Sequence, residues 1–222
     1  MFSPETRSLL FAWFAGVSTG FLASVPLGPI NITIINDGAR RGFWGAWLIG
    51  IGAVVMDMIY CGIGFAGFTA VFDSHKVRAV MELGSFLLVF ILGLKYLLVK
   101  PVILREQTPS EIEKRFHPSS SFMIGMARVL GNPAVLLFWI TMAAALTSQH
   151  WVHKEPRSKV FCVVGIGSGA AVWFFILSYV VTRLHHQITP TTLRRLSQFS
   201  GATLLGLSLV IGYRIVQLLA IR

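Results

Sequence analysis

Asp57 is the residue of this sequence best placed to do chemistry, because it is a lone carboxylate inside an apolar stretch. No other charged residue occurs between Arg41 and Asp73. A carboxylate at the centre of a bilayer costs about 2.5–3.5 kcal/mol on insertion scales, so it should face the interior of a helix bundle or a wet cavity. Burial favours its neutral form, so it could take up and release protons. It could instead hold a substrate ammonium group, or form a structural ion pair with Arg128.

Two short Gly/Pro elements should interrupt apolar helices: Pro26-Leu27-Gly28-Pro29 and Gly131-Asn132-Pro133. Proline lacks a backbone N–H and clashes with the preceding turn, and backbone groups freed inside a membrane need new partners. Pro29 and Pro133 suit the first turn of a second half-helix, whose positive end can face an anionic group such as a carboxylate. The alternative is a pair of kinks that only help packing.

Three polar side chains lie beside these breaks. Asn31 and Asn132 add amide donors and acceptors. Arg128 comes one turn before the second break, where it could pair with Asp57 or offer its planar fork to a substrate carboxylate. The alternative for Arg128 is a side chain that snorkels to the membrane interface. We predict a substrate-binding or coupling site formed by Pro26, Gly28, Pro29, Asn31, Asp57, Arg128, Asn132 and Pro133.

The elements that carry these residues are membrane spans. The chain has 222 residues, of which 55% are hydrophobic and only 13% are charged, whereas soluble domains carry about 25% charged residues. No Asp, Glu, Lys or Arg occurs from Ser8 to Asn36, which is longer than the roughly 20 residues that cross a bilayer. Six apolar stretches predict six transmembrane helices: Leu9–Ile35, Phe43–Val71, Ala79–Val99, Ser120–Leu146, Val160–Thr182 and Leu196–Ala220.

The net charge of +10 lies mostly in the short connectors between these stretches. Loop charge of this kind sets orientation and meets anionic lipid head groups, so we expect no nucleic-acid partner. Six spans place both termini on one side. The connectors on that side carry seven Lys and Arg, against nine on the other side. The positive-inside rule therefore places the termini outside and the longest loop, Lys100–Ser119, in the cytoplasm.

The chain also resembles two related halves, at about 9–100 and 120–221. The first and fourth spans carry the Gly/Pro breaks, and the second and fifth carry Gly50-Ile51-Gly52 and Gly165-Ile166-Gly167. Three spans per repeat is an odd number, so the second copy must be inverted, which is a common transporter plan. The sequence predicts an all-α integral membrane fold with one transmembrane domain over 1–222, built of two inverted three-helix repeats with helices 1 and 4 broken.

Small and aromatic residues indicate how the helices pack. Gly16 and Gly20, like Gly165 and Gly169, have the spacing that lets helix backbones approach closely, either within one chain or in a homodimer. The six tryptophans are Trp13, Trp44, Trp47, Trp139, Trp151 and Trp173, and several of them lie near predicted interfaces, as an aromatic belt would require. Cys61 and Cys162 lie within predicted spans, where they indicate neither a disulfide framework nor a metal site.

The sequence resembles the lysine exporter (LysE) superfamily of amino-acid effluxers. The resemblance rests on Pro26-Leu27-Gly28-Pro29-Ile30-Asn31, on Gly38-Ala39-Arg40-Arg41-Gly42, on Gly50-Ile51-Gly52 before Asp57, and on Gly125, Asn132-Pro133 and Phe138-Trp139. Where many members have a lysine after the fourth-span proline, this chain has Ala134. The resemblance implies secondary export of an amino acid or similar small metabolite across the bacterial inner membrane, by proton exchange.

Other functions remain open at this stage. A divalent metal-cation exporter would need several converging oxygen ligands, and one Asp with two Asn supplies few. A transmembrane thiol relay would use Cys61 and Cys162, which sit in no reactive motif. A scaffold without transport would not need a carboxylate in lipid. The chain has no Walker loop, nucleophile elbow, HExxH or CxxC motif, so we expect neither an enzyme nor a bound cofactor.

Overall fold

The computed structural model of the chain describes residues 3–26, 28–67, 75–98, 120–149 and 151–183, together with separate positions between 191 and 216. These residues form helices and connecting turns, and no strand occurs among them. The helices are α1 (Pro4–Ser24), α2 (Pro29–Gly67), α3 (His75–Leu98), α4 (Ser121–Leu130), α5 (Pro133–Ser148) and α6 (Pro156–Arg183). The predicted all-helical class is confirmed for this part of the chain.

Both predicted helix breaks are confirmed. The first apolar stretch is divided between α1, which ends at Ser24, and α2, which begins at Pro29. The fourth is divided between α4 and α5, which are bent by 74° across the break. Pro29 and Pro133 are the first residues of the second helices, as expected for a residue that has no N–H to leave unpaired.

The interval Asn36–Gly42, between the first two predicted spans, is a tight link. Helix α2 continues through it, and the chain turns at one residue, Gly42, with φ 70° and ψ −176°. Only glycine adopts this combination readily, because a side chain would clash with the backbone. The third helix also begins earlier than predicted, at His75. The predicted loop Lys100–Ser119 lies outside the described residues, and the sixth span is described only at separate helical positions.

The chain is a membrane protein. Among the described residues, two helical segments are long and apolar enough to cross a bilayer, Arg41–Gly67 of α2 and Pro156–Arg183, and the bent pair of α4 and α5 would make a third. Large apolar side chains also point outward along the bundle, as contact with lipid requires. They include Phe11, Phe14, Trp44, Ile91, Leu98, Val160 and Val172. The arrangement of six spans as two inverted repeats stays a prediction.

Glycines bring the helices of the two halves together. Gly16 and Gly20 of α1 lie against the backbone carbonyls of Cys162 and Ile166 in α6, so that a Cβ at either glycine would overlap them. Gly165 and Gly169 face back onto α1 in the same way. The small-residue motifs therefore pack helices within one chain.

A second contact of this kind joins α2 to α4. A Cβ at Gly52 would overlap the carbonyl oxygen of Phe122, and one at Gly125 would overlap that of Ile49. Each of the two contacts pairs a helix of the first half with a helix of the second half. This pattern is the one expected of an inverted repeat in which the first helix of each half packs against the second helix of the other half.

Polar contacts sort the helix ends onto two sides of the bundle. Arg157 at the start of α6 forms an exposed ion pair with Glu5 in α1, at 3.1 Å. Lys159 Nζ donates to the carbonyl oxygen of Phe65, near the end of α2, at 3.3 Å. At the opposite end of α6, Phe175 packs edge-on against Phe43, next to the Gly42 turn. Helix α2 therefore runs antiparallel to α6 beyond Gly42.

Replacing Gly52 with alanine should destabilise the protein, because its Cβ would meet the Phe122 backbone, which cannot rotate away. Overpacking of this kind costs about 1–3 kcal/mol. Gly62 is the matched control in the same helix, since a Cβ there meets nothing within 4 Å. Gly62→Ala should instead stabilise the helix by about 0.5–1 kcal/mol. Thermal unfolding in detergent measures both effects, and equal midpoints for the two variants would contradict the close α2–α4 contact.

Candidate functional site

A cavity of about 150 Å³ lies between the two helix breaks. It receives residues from the end of α1, the start and middle of α2, both sides of the second break, α6 and position 204. Most of its wall is apolar, with a few polar side chains, as is usual for sites that bind small molecules. The described lining residues are Ala23, Ser24, Pro26, Gly28, Ile30, Asn31, Asp57, Val129, Asn132, Ala134, Val135, Phe138, Trp139, Phe174 and Leu204.

Asp57 provides the single charge among these lining residues. Its side chain is 8% exposed, and its Oδ1 accepts a hydrogen bond from Nε1 of Trp139 at 2.7 Å. A hydrogen bond to a carboxylate is short and strong in such surroundings. Its other oxygen makes no hydrogen bond to any described residue, and Asp57 forms no ion pair with Arg128. One carboxylate oxygen is thus held by the Trp139 indole, and the Asp57 side chain lines the cavity.

Asn31 uses its amide group to hold the first break together. The side chain is 2% exposed, and Nδ2 donates to the carbonyl oxygens of Ser24, at 2.9 Å, and Pro26. Its Oδ1 accepts from Nε1 of Trp173 in α6, at 3.1 Å. These bonds satisfy carbonyls that the interrupted helix leaves without intrahelical partners. Asn31 therefore positions the cavity wall, and its polar atoms are already committed.

Asn132 caps the helix on the other side of the cavity. Its Oδ1 accepts from the backbone N–H of Ala134 at 3.2 Å, which satisfies one of the free donors at the start of α5. Its Nδ2 makes no hydrogen bond to the part of the chain that the structure describes. Because Asn132 lines the cavity, this NH₂ group is the donor best placed to meet the anionic end of a ligand.

The structure brings most of the predicted site residues together. Pro26, Gly28, Asn31, Asp57 and Asn132 line the same cavity. Pro29 and Pro133 begin the helices that border it. Arg128 lies in α4, partly buried, and is not among the lining residues.

Two tryptophans take part in the site, and the sequence did not identify them as site residues. Trp139 is 2% exposed and Trp173 is 9% exposed, so both lie inside the bundle. They donate to Asp57 and Asn31, respectively. A signal was available for Trp173, which falls in the middle of its predicted span, where an indole N–H needs a protein acceptor because lipid offers none.

The alternative functions, metal export and a thiol relay, depend on metal ligands and on cysteines. No group of three or more His, Cys, Asp or Glu side chains occurs among the described residues in an arrangement that could hold a metal ion. Cys61 and Cys162 are both free thiols, and both are fully buried in the apolar core between the helices.

Comparison with known proteins places these features in a family. The family model described as LysE type translocator matches residues 21–214. The chain is 26% identical over 198 residues to YcgF of Bacillus subtilis, a protein named for amino acid efflux, which covers 88% of this chain and 92% of that protein. It is 22% identical over 208 residues to the arginine exporter protein ArgO of Serratia proteamaculans, which covers 93% and 98%.

A third relative is the chemotactic transduction protein ChpE of Pseudomonas aeruginosa, which is 23% identical over 203 residues, 90% of this chain and 97% of that protein. No solved structure matches the chain. The family match extends from the last turn of α1 to residue 214, and so it includes both breaks and Asp57. The chain belongs to the LysE type translocator family.

Proposed function

We propose that this protein exports an amino acid or a similar small metabolite across the bacterial inner membrane in exchange for protons. The family supports translocation, and two relatives carry names that refer to amino acid efflux and arginine export. The cavity between two broken helices supports a binding site inside the membrane, since such breaks are where transporters commonly bind their substrates.

The observation that carries the proposal is Asp57, a buried carboxylate that lines the cavity and is paired with no cation among the described residues. A substrate ammonium group and a proton would compete for this carboxylate. On the cytoplasmic side the ammonium group displaces the proton, and on the outer side a proton displaces the substrate. Because the site cannot hold both, each outward movement of substrate is coupled to one inward movement of a proton.

The remaining site residues would shape the cavity. Gly28 and Pro26 form its wall at the first break, and Asn31 holds that break in place. Asn132 donates to the substrate carboxylate at the second break, where the positive end of α5 adds to the attraction. Pro29 and Pro133 begin the two half-helices. We assign no step to Arg128, because it neither lines the cavity nor pairs with Asp57.

We also propose that the fold consists of six spans in two inverted repeats, with both termini outside. The two glycine contacts support the repeat, because α1 pairs with α6 and α2 pairs with α4. The two tryptophan contacts support it as well, since Trp173 and Trp139 each reach from the second half to α2. In this arrangement the breaks face each other across the cavity.

Asp57→Asn should abolish uptake or efflux driven by a pH gradient. The asparagine oxygen can still accept the hydrogen bond of Trp139, so the bundle should fold, but the side chain can no longer exchange a proton. Flux of a labelled amino-acid panel from proteoliposomes with an imposed pH gradient measures the effect. Expected flux falls to the level of empty liposomes.

The matched control is Glu5→Gln, which also removes one carboxylate. Glu5 is exposed and paired with Arg157, and surface pairs of this kind contribute little. Its flux should equal that of the wild-type protein. Gradient-driven flux that persists in folded Asp57→Asn protein would assign Asp57 a structural role and contradict the exchange mechanism.

Trp139→Phe should reduce gradient-driven flux about tenfold while the protein stays folded. The phenyl ring fills most of the indole space but lacks the N–H that holds Asp57, and a hydrogen bond to a charged group is worth about 1.5–3 kcal/mol. Trp44→Phe is the control, because Trp44 is 68% exposed and is not one of the described residues that line the cavity. Flux that falls equally in both variants would show a general effect of removing an indole rather than a role in positioning the carboxylate.

A further inference from the structure

We infer that the substrate is an α-amino acid with one amino group and an aliphatic side chain, of about the size of leucine, rather than a basic amino acid. The inference rests on the proposed function and narrows its substrate class. It follows from the charges, the wall and the volume of the cavity, taken in turn.

The charge of the described cavity lining can balance one cationic group of a ligand. Among the described lining residues Asp57 is the single ionisable side chain, and its carboxylate can meet one ammonium group. Lysine or arginine would bring a second cation into the same apolar space. An uncompensated charge in such surroundings is strongly unfavourable, so a dibasic substrate should bind much more weakly.

The hydrogen-bond donors at the start of α5 can bind one carboxylate group of a ligand. Asn132 offers an NH₂ group without a hydrogen-bond partner in the described chain, beside the positive end of α5. Asn31 is fully engaged, and the hydroxyl of Ser24 donates to the carbonyl oxygen of Gly20 at 2.8 Å. The cavity thus matches the two charged groups that every α-amino acid shares, and its described lining side chains offer no further free donor for a polar side chain.

The remaining wall is apolar and suits a branched aliphatic group. Ile30, Val135, Phe138, Phe174 and Leu204 contribute its larger side chains. The cavity of about 150 Å³ is well above the roughly 10–15 Å³ that one water molecule needs, and so it admits a small ligand such as an aliphatic amino acid. The transfer of an aliphatic side chain from water into the cavity would favour binding. A side-chain hydroxyl or ammonium group would lose its hydration and gain no hydrogen bond from the apolar wall.

The first test uses the wild-type protein in proteoliposomes under a pH gradient, with labelled leucine, valine, lysine and arginine. We expect leucine or valine flux to exceed lysine and arginine flux by about tenfold or more. In competition with leucine, 3-methylbutylamine and 4-methylpentanoate should each inhibit weakly, because each lacks one of the two charged groups. Lysine or arginine carried as well as leucine would overturn the inference and leave proton-coupled export standing. Absence of flux for every amino acid would overturn both.

A second test changes the charge of the wall. Val135 occupies the third position of α5, where an aspartate is well tolerated because it is near the positive helix end. Val135→Asp should raise the ratio of lysine flux to leucine flux about tenfold relative to Val135→Asn, which has the same shape but no charge. An equal ratio in the two folded variants would overturn the charge argument.

Discussion

A helix that breaks inside a membrane must find new partners for the backbone groups that the break releases, and this requirement organises the centre of the structure. Water cannot supply these partners from within lipid. Asn31 therefore donates to two carbonyls at the end of α1, and Asn132 accepts from an N–H at the start of α5. Each asparagine supplies hydrogen bonds to the backbone groups that its own break leaves unpaired. The cavity lies between them, and it is lined by residues from both breaks.

The buried carboxylate adds a second cost that the same centre must meet. Asp57 is only 8% exposed, and one indole bond compensates its burial only in part. A purely structural carboxylate would normally be paired with a cation or fully hydrogen-bonded, since an unpaired charge is costly. Neither condition holds among the described residues, so the site is unfavourable when empty and charged. A ligand that brings a proton or an ammonium group relieves this cost, which is why the energetics agree with exchange at this position.

The sequence predicts the features that depend on single residues and misses those that depend on packing. Proline cannot donate a hydrogen bond in any context, so both breaks could be located from Pro26, Pro29 and Pro133 alone. A lone charge in an apolar stretch likewise identifies Asp57. The turn at Gly42 is harder to locate from the sequence, because the polar residues before it are compatible with either a loop or a helix. The partners of Asp57 and Asn31 could not be predicted, since they depend on how α5 and α6 rotate against α2. The bonds of Asn31 follow from its place in the first turn of α2, from which its amide reaches back to the carbonyl oxygens of Ser24 and Pro26.

The two indole contacts differ in a way that bears on movement. Trp173 bonds to an amide, whose charge is constant, so the contact between α6 and the start of α2 has the same strength throughout the proposed cycle. Trp139 bonds to a carboxylate, and a hydrogen bond to an ionised acceptor is roughly twice as strong as one to a neutral acceptor. Protonation of Asp57 would therefore weaken the contact between α5 and α2, while the start of α2 stays bonded to α6 through Asn31 and Trp173. The second break would then be the one that responds to the proton, and its 74° bend is the place where such a change could open the cavity to one side.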